Sequence, residues 1–239
     1  MSPTEPEPKP STPIPSLQIT SHPQYNPPSS LSPSSVHSSP FTQFHEWFTA
    51  AQAQSVPSPE ATALSTASST GIPSSRMVLL RSVDLRGFVF YTNYTSRKSQ
   101  ELNANGSAAL LFYWPEMDRQ VRVVGRVEKV GKEESEAYFR TRPVGSQVGA
   151  WASRQSSVIG EGELSEQVDK REKQFGVGKH EREGGEVLYP EFWGGWRVIP
   201  SEVEFWLGKP SRLHDRVRYL RKEGSSDDKP EWTIERLAP

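Results

Sequence analysis

The 239-residue chain contains no cysteine. Disulfides, thiolate metal sites, iron–sulfur clusters and cysteine nucleophiles are therefore excluded. Long apolar runs are also missing: no stretch of about 18 hydrophobic residues is there to cross a bilayer as a helix. Neither sign of charge dominates. Lys and Arg number 28, Asp and Glu 29, and the net charge is −1. Nothing draws the chain as a whole toward nucleic acid or an anionic membrane. The five histidines (His22, His37, His45, His180 and His214) form no HxH or HExxH spacing, so no metal site is expected. Phosphate loops of the GxGxxG or GxxxxGK[ST] type and the GxSxG nucleophile elbow are absent as well.

What is present is unevenly spread. Eleven of the 21 prolines and eleven serines fall in residues 1–40, with only three charged residues, Glu5, Glu7 and Lys9. That stretch is too poor in apolar side chains to offset the entropy of ordering, so a disordered tail is expected over 1–38. It has neither the apolar core of a secretory signal nor the arginines of a mitochondrial presequence, and a cytoplasmic protein is expected. Residues 39–239 have a globular charge content and are expected to form one domain.

Ser39-Pro40 reads as a helix start, and Phe41, Phe44, Trp47, Phe48 and Ala51 recur at helical spacing. Strands are predicted over 61–67, 77–83, 88–92, 108–113, 120–130, 196–199, 203–207, 217–221 and 232–237. Helices are predicted from Ser96 to Asn103, stopped by Asn105-Gly106, and over 133–141, 147–153 and 163–175. There is no βαβ alternation. Short strands with hairpin-sized links predict a mainly β, α+β chain: an antiparallel barrel with helices outside.

Three clusters of residues carry potential chemistry. Arg76 and Arg81 bracket the apolar run Met77, Val78, Leu79 and Leu80. Tyr91 and Thr92 end the next strand, and Arg97 and Lys98 follow at a helix start. Two cations beside a helix N-terminus suit an anion, though a solvated basic turn would look the same. Tyr138 and Arg142, one helical turn apart, with Ser146 just beyond, would suit one phosphate or an ordinary amphipathic helix. Near the C-terminus, Arg212, His214 and Arg216 alternate after Trp206. Read as an extended segment, they share one face, which needs an electron-rich partner unless it is a solvated edge strand.

These residues lie within stretches that resemble one family. RMVLLR (76–81), FYTNYTSRKSQEL (90–102), RQVRVVGRVEKV (119–130), YFRTRPVGSQVGAWASRQSS (138–157), FWGGWRV (192–198), EFWLGKPSRLHDR (204–216) and IERLAP (234–239) occur in the order found in the pyridoxine/pyridoxamine 5'-phosphate oxidases. The resemblance implies a split β-barrel and a homodimer with FMN at the subunit interface. It implies that Arg76 to Arg81, Tyr91, Thr92, Arg97, Lys98, Gln120, Gln155, Ser156, Trp206 and Arg216 bind FMN. It places Arg81, Tyr138, Arg142, Ser146, Arg212 and His214 at the substrate, with Arg212 and His214 acting on it. The implied reaction oxidises pyridoxamine or pyridoxine 5'-phosphate to pyridoxal 5'-phosphate, with O2 reduced to hydrogen peroxide. A flavin reductase on the same fold, or a non-catalytic flavin or pyridoxal phosphate carrier, are the alternatives. The chain departs from the family at Arg81, where the family has lysine. It also lacks the arginine of the family's substrate-covering N-terminal segment, for which Tyr25 is the nearest match. A cluster of aromatics (Trp193, Trp196, Phe205, Trp206) larger than one barrel interior absorbs also suggests a dimer.

Overall fold

The computed structural model describes residues 18, 19, 21, 24–178 and 185–239. Helix α1 (Pro40–Ala53) begins at Pro40, whose fixed φ suits a first helical position. Three strands follow: β1 (Ala61–Ala67), β2 (Pro73–Asp84) and β3 (Gly87–Asn93). Helix α2 (Arg97–Asn105) ends at Gly106, which takes the left-handed conformation its missing Cβ allows. Next are β4 (Ser107–Trp114), β5 (Arg119–Lys129), α3 (Lys132–Thr141), α4 (Val144–Ala152) and α5 (Glu163–Phe175). The chain closes with β6 (Trp193–Leu207), β7 (Asp215–Arg221) and β8 (Trp232–Leu237).

All strand pairings are antiparallel, in the order β3-β2-β1-β4-β5-β6-β7-β8, and β3 also pairs with β6. That second pairing closes six strands into a barrel and leaves β7 and β8 as a wing on β6. The interior is aromatic. Phe44 of α1 meets Phe88 and Phe112 with ring centroids 5.0 Å apart in each case, and these rings are buried.

Strand β6 was expected as two strands broken near Pro200. It is instead one 15-residue strand with a bulge. Val124 pairs with Glu202 and Gly125 with Pro200, so Ser201 is the extra residue. The insertion flips the side-chain parity. Trp196 and Val198 face the core before it, and Val203, Phe205 and Leu207 after it. The outward-facing Trp193 anchors a second small core with Phe139, Val148 and Phe175, which seats α3, α4 and α5 on the barrel. The aromatics counted toward a dimer are thus absorbed within one chain: Trp196 and Phe205 in the barrel, Trp193 in the second core, and Trp206 against His214.

The tail also differs from expectation. Residues 24–38 pack on the wing, because their few apolar groups and their backbone find partners there. Leu31 is 5% exposed and belongs to the main core. Its N–H donates to Asp215 Oδ2 at 3.0 Å, and the Tyr219 hydroxyl donates to the His37 carbonyl at 2.6 Å. Most of the expected tail, 1–17 with 20, 22 and 23, lies outside the described residues.

Truncating a buried leucine costs about 2–5 kcal/mol, so Leu31→Ala should lower stability by that amount. Ile19→Ala, at a residue 74% exposed, should shift it by less than about 0.5 kcal/mol. Urea denaturation of the two variants checks both.

Candidate functional site

A cavity of about 590 Å³ opens beside β2, bounded by β3, α2, α3 and α4. The whole run from Arg76 to Arg81 lines it, as do Tyr91, Thr92, Lys98, Tyr138, Arg142, Ser146 and Gln155. The first two sequence clusters therefore meet in one place. Residues not assigned to a site from the sequence complete the wall: chiefly Glu60, Asn93 and Trp193, the last noted there only among the aromatics.

One end is built for an anion. Lys98 is buried, and its ammonium donates to Gln155 Oε1 at 2.7 Å and Thr92 Oγ1 at 3.2 Å, both neutral acceptors. Burial, and then the nearby Arg76 charge, pull its pKa down to about 8. Ser96 does not cap α2 with its side chain; its hydroxyl donates to the Asn93 carbonyl at 2.7 Å. Arg97 lies outside the lining and pairs with Glu101 at 2.8 Å.

The other end is an aromatic stack with a cation at each side. Tyr91 lies nearly parallel to Trp193 at 5.3 Å and packs on Tyr138 at 4.2 Å. The Arg81 guanidinium sits 4.5 Å from the Tyr138 ring centre, and that of Arg142 4.7 Å from Trp193. Arg81 owes its position to a bulge, since the β2–β3 register jumps from Leu80 to Ser82. Arg142 Nη1 is buried with no hydrogen-bond partner among the described residues. Burial pushes the Tyr91 phenol up to about 12, so it stays protonated.

Gln120, Trp206 and Arg216 lie elsewhere, around a second cavity of about 260 Å³ shared with Leu111, Arg122 and Glu204. Arg216 is not the unpartnered cation the sequence suggested: Nε pairs with the buried Glu204 at 2.7 Å, and Nη1 donates to the Ala238 carbonyl. Arg212 and His214 do not lie on an extended strand. Pro210–Arg212 is a tight turn with Ser211 and Arg212 both at positive φ, and β7 starts only at Asp215. The proline and the left-handed pair turn the chain before it can extend. His214 packs on Trp206 at 4.5 Å, and the Tyr25 ring meets both edge-on. Burial, then the Arg212 and Arg216 charges, lower its pKa, so the imidazole is neutral at pH 7. Lys209 N–H donates to Nδ1 at 3.1 Å, which leaves the proton on Nε2. Ser156, at positive φ, lines a third cavity with Arg154 and Arg171 rather than either of these.

The large cavity fits a flavin bearing a phosphate. A buried lysine with only neutral acceptors and a buried arginine nitrogen with none are cations that lack an anion. The sequence profile described as pyridoxamine 5'-phosphate oxidase matches residues 48–172. That described as the pyridoxine 5'-phosphate oxidase C-terminal dimerisation region matches 193–239. Relatives described as pyridoxine/pyridoxamine 5'-phosphate oxidase, from Burkholderia mallei (strain SAVP1) and Bordetella petrii, are each 50% identical. Each match covers 88% of this chain and 94% of the relative. The solved structure of PhzG from Burkholderia lata 383, in complex with tetrahydrophenazine-1-carboxylic acid, superposes with a TM-score of 0.77 at 31% identity. It covers 87% of this chain and 96% of that one. A pyridoxamine 5'-phosphate oxidase-related, FMN-binding protein from Nostoc punctiforme shares the fold, with a TM-score of 0.64 at 14% identity over 84% of this chain and 98% of its own.

Fold and cavity together define an FMN-binding split-barrel flavoprotein. The chain belongs to the pyridoxamine 5'-phosphate oxidase family, whose cofactor is FMN, and is an oxidase.

A phosphate bound beside Lys98 favours the ammonium over the amine. With the free group at about 8, FMN affinity should be full below that pH. Above it, affinity should fall by up to about tenfold per pH unit, because binding must then take up one proton. Lys98→Met should remove this pH step, whatever it does to absolute affinity. Flavin fluorescence titrations of the stripped protein from pH 7 to 9.5 check it.

Proposed function

We propose that the chain oxidises pyridoxamine 5'-phosphate or pyridoxine 5'-phosphate to pyridoxal 5'-phosphate. The substrate CH2–NH3+ or CH2–OH becomes an aldehyde, O2 becomes hydrogen peroxide, and the amine leaves as ammonium with uptake of water. Bound FMN would supply the two-electron chemistry between substrate and O2. The observation that carries the reading is the presence of two cationic ends in one cavity. FMN brings one phosphate. Arg76, Arg97 and Lys98, with Thr92 and Gln155, are assigned to it. Arg81, Arg142, Tyr138 and Ser146 are then left for a second phosphate, which a generic flavin reductase does not need. Fixing both phosphates aligns the two ring systems, and positioning of this kind lowers barriers by up to about 7–11 kcal/mol.

The remaining groups come from a second subunit in this reading. An exposed apolar face runs across three strands: Leu79 opposite Ala61, Met77 opposite Ala63, and Ala63 opposite Leu111. Met77 and Leu79 line the large cavity and Leu111 the smaller one. Burying this face in a homodimer would bring Gln120, Trp206 and Arg216 of one subunit to the FMN of the other. The Nε2–H of His214 would hold a polar substituent of the substrate ring. Arg212, presented by its turn, would cover that ring, while Gln155 and Ser156 of the first subunit would close the flavin end.

A carboxylate-bearing substrate like the molecule bound by PhzG is the second reading, favoured by the 31% identity over nearly the whole of that chain. Peroxide release separates the two. Turnover of pyridoxamine 5'-phosphate, with pyridoxamine at least 100-fold poorer in kcat/KM, is expected. Arg142→Ala should erase most of that preference while leaving FMN bound. Equal rates with and without the phosphate would overturn the assignment.

The shared site has its own test. Arg142→Ala and Arg216→Ala subunits, each weak alone, should recover about a quarter of the parental activity when unfolded and refolded together, since half the dimers then hold one intact site. Sites contained within single chains would show no recovery.

A further inference from the structure

One carboxylate near the cavity is used by none of the roles above. Glu101 lies on α2, one turn after Arg97, and its side chain is 7% exposed. Four donors from three elements converge on it. Thr66 Oγ1 of β1 and Ser74 Oγ of β2 each donate to Oε2 at 2.5 Å. Arg76 Nη2 donates to the same oxygen at 3.3 Å, and Arg97 Nε donates to Oε1 at 2.8 Å. Burial works against the charge, but these bonds outweigh it and hold the carboxyl down to about 2.

A buried acid is costly unless its lone pairs are filled, and a barrel wall has no packing need for one. Its neighbours show what it does. Arg76 and Arg97 come from different elements and repel each other, and Lys98 adds a third positive charge. Arg76 is further fixed through Nη1, which donates to Thr66 Oγ1 at 2.5 Å and to the Leu64 carbonyl at 3.3 Å. Among the described residues, Glu101 is the one hydrogen-bond partner of the Arg97 side chain, which is otherwise 60% exposed. Without that carboxylate, nothing holds the Arg97 guanidinium beside Arg76, and a long side chain would spread over many rotamers.

We propose that Glu101 is a positioning residue for the FMN phosphate: it ties the guanidiniums of Arg76 and Arg97 into one preformed pair. The inference rests on assigning the flavin phosphate to this end of the cavity. Glu101 lies outside the cavity lining. It lowers the net positive charge of the site, so by charge alone it weakens anion binding. The gain is preorganisation, because the cations need not be gathered when the ligand arrives.

The test compares FMN with riboflavin, which lacks the phosphate, on the full chain stripped of flavin. Glu101→Gln should weaken FMN at least tenfold and change riboflavin by less than twofold. Glu101→Asp keeps the charge but shortens the reach, and should show the same selectivity if the glutamine variant fails to fold. In an Arg76→Ala/Arg97→Ala background, Glu101→Gln should cause no further loss. Equal weakening of both flavins would make Glu101 merely structural, and unchanged or tighter FMN binding would reduce it to a charge offset; either overturns the proposal. Arg76→Ala serves as the control for the phosphate assignment. If it too treats FMN and riboflavin alike, that assignment fails and the inference falls with it. If it discriminates while Glu101→Gln does not, only the role of Glu101 fails.

Discussion

Strand β6 pairs on both sides, and the rest of the molecule is arranged around that constraint. One edge carries β5 along its length; the other carries β3 up to Val198 and β7 from Glu202 onward. With strict alternation, Val203, Phe205 and Leu207 would point away from the core that Trp196 and Val198 face. The extra residue at Ser201 prevents this by reversing which side chains point inward. Gly125 makes the close approach possible, because a Cβ there would collide with the Ile199 carbonyl. The same reversal turns Glu204 and Trp206 outward, toward the smaller cavity.

Electrostatics is the second organising theme. Seven cationic groups serve the proposed sites; besides Arg212, which sits on its turn, the other six are handled in two ways. Arg76, Arg97 and Arg216 are paired with buried carboxylates, Glu101 and Glu204, which hold them in place. Glu204 is itself held below the usual carboxylate range: burial opposes the charge, but Arg216 and then Arg122 prevail. Lys98, Arg81 and Arg142 have no carboxylate partner among the described residues and rest on neutral acceptors or aromatic faces. The first group is preset, and the second is left to respond to a ligand.

Much of this was legible in the sequence, and the exceptions have physical causes. The strands 61–67 and 232–237 and the helix 163–175 coincide with predicted bounds, because each has clean periodicity between turn residues. The cavity residues of β2, β3, α2 and α3 were visible as cations set among apolar or aromatic runs. Pro200 hid the continuity of β6, since proline argues against a central strand unless a bulge accommodates it. The Arg212–Arg216 segment was misread because alternation suggests a strand, whereas Ser211 and Arg212 take left-handed backbone that their residue types do not announce. Residues 24–38 look disordered by composition, yet Leu31 and a few backbone bonds dock them. Glu101 did leave a signal, an i,i+4 pairing with Arg97, but a surface pair gives the same pattern. Only the fold shows that it is buried.

The two tryptophans at the ends of β6 give that strand a further property. Trp193 borders the large cavity and Trp206 the small one, thirteen residues apart on one strand. At about 3.3 Å per residue that is roughly 43 Å of extended backbone. In a dimer that pairs unlike cavities, the two ends of this one strand serve different flavins. The strand then works as a ruler. In that arrangement its length, with the one-residue offset at Ser201, would set the separation of the two proposed flavin sites. An insertion or deletion within it would be felt at both centres together, so selection on either one constrains the length of the whole strand.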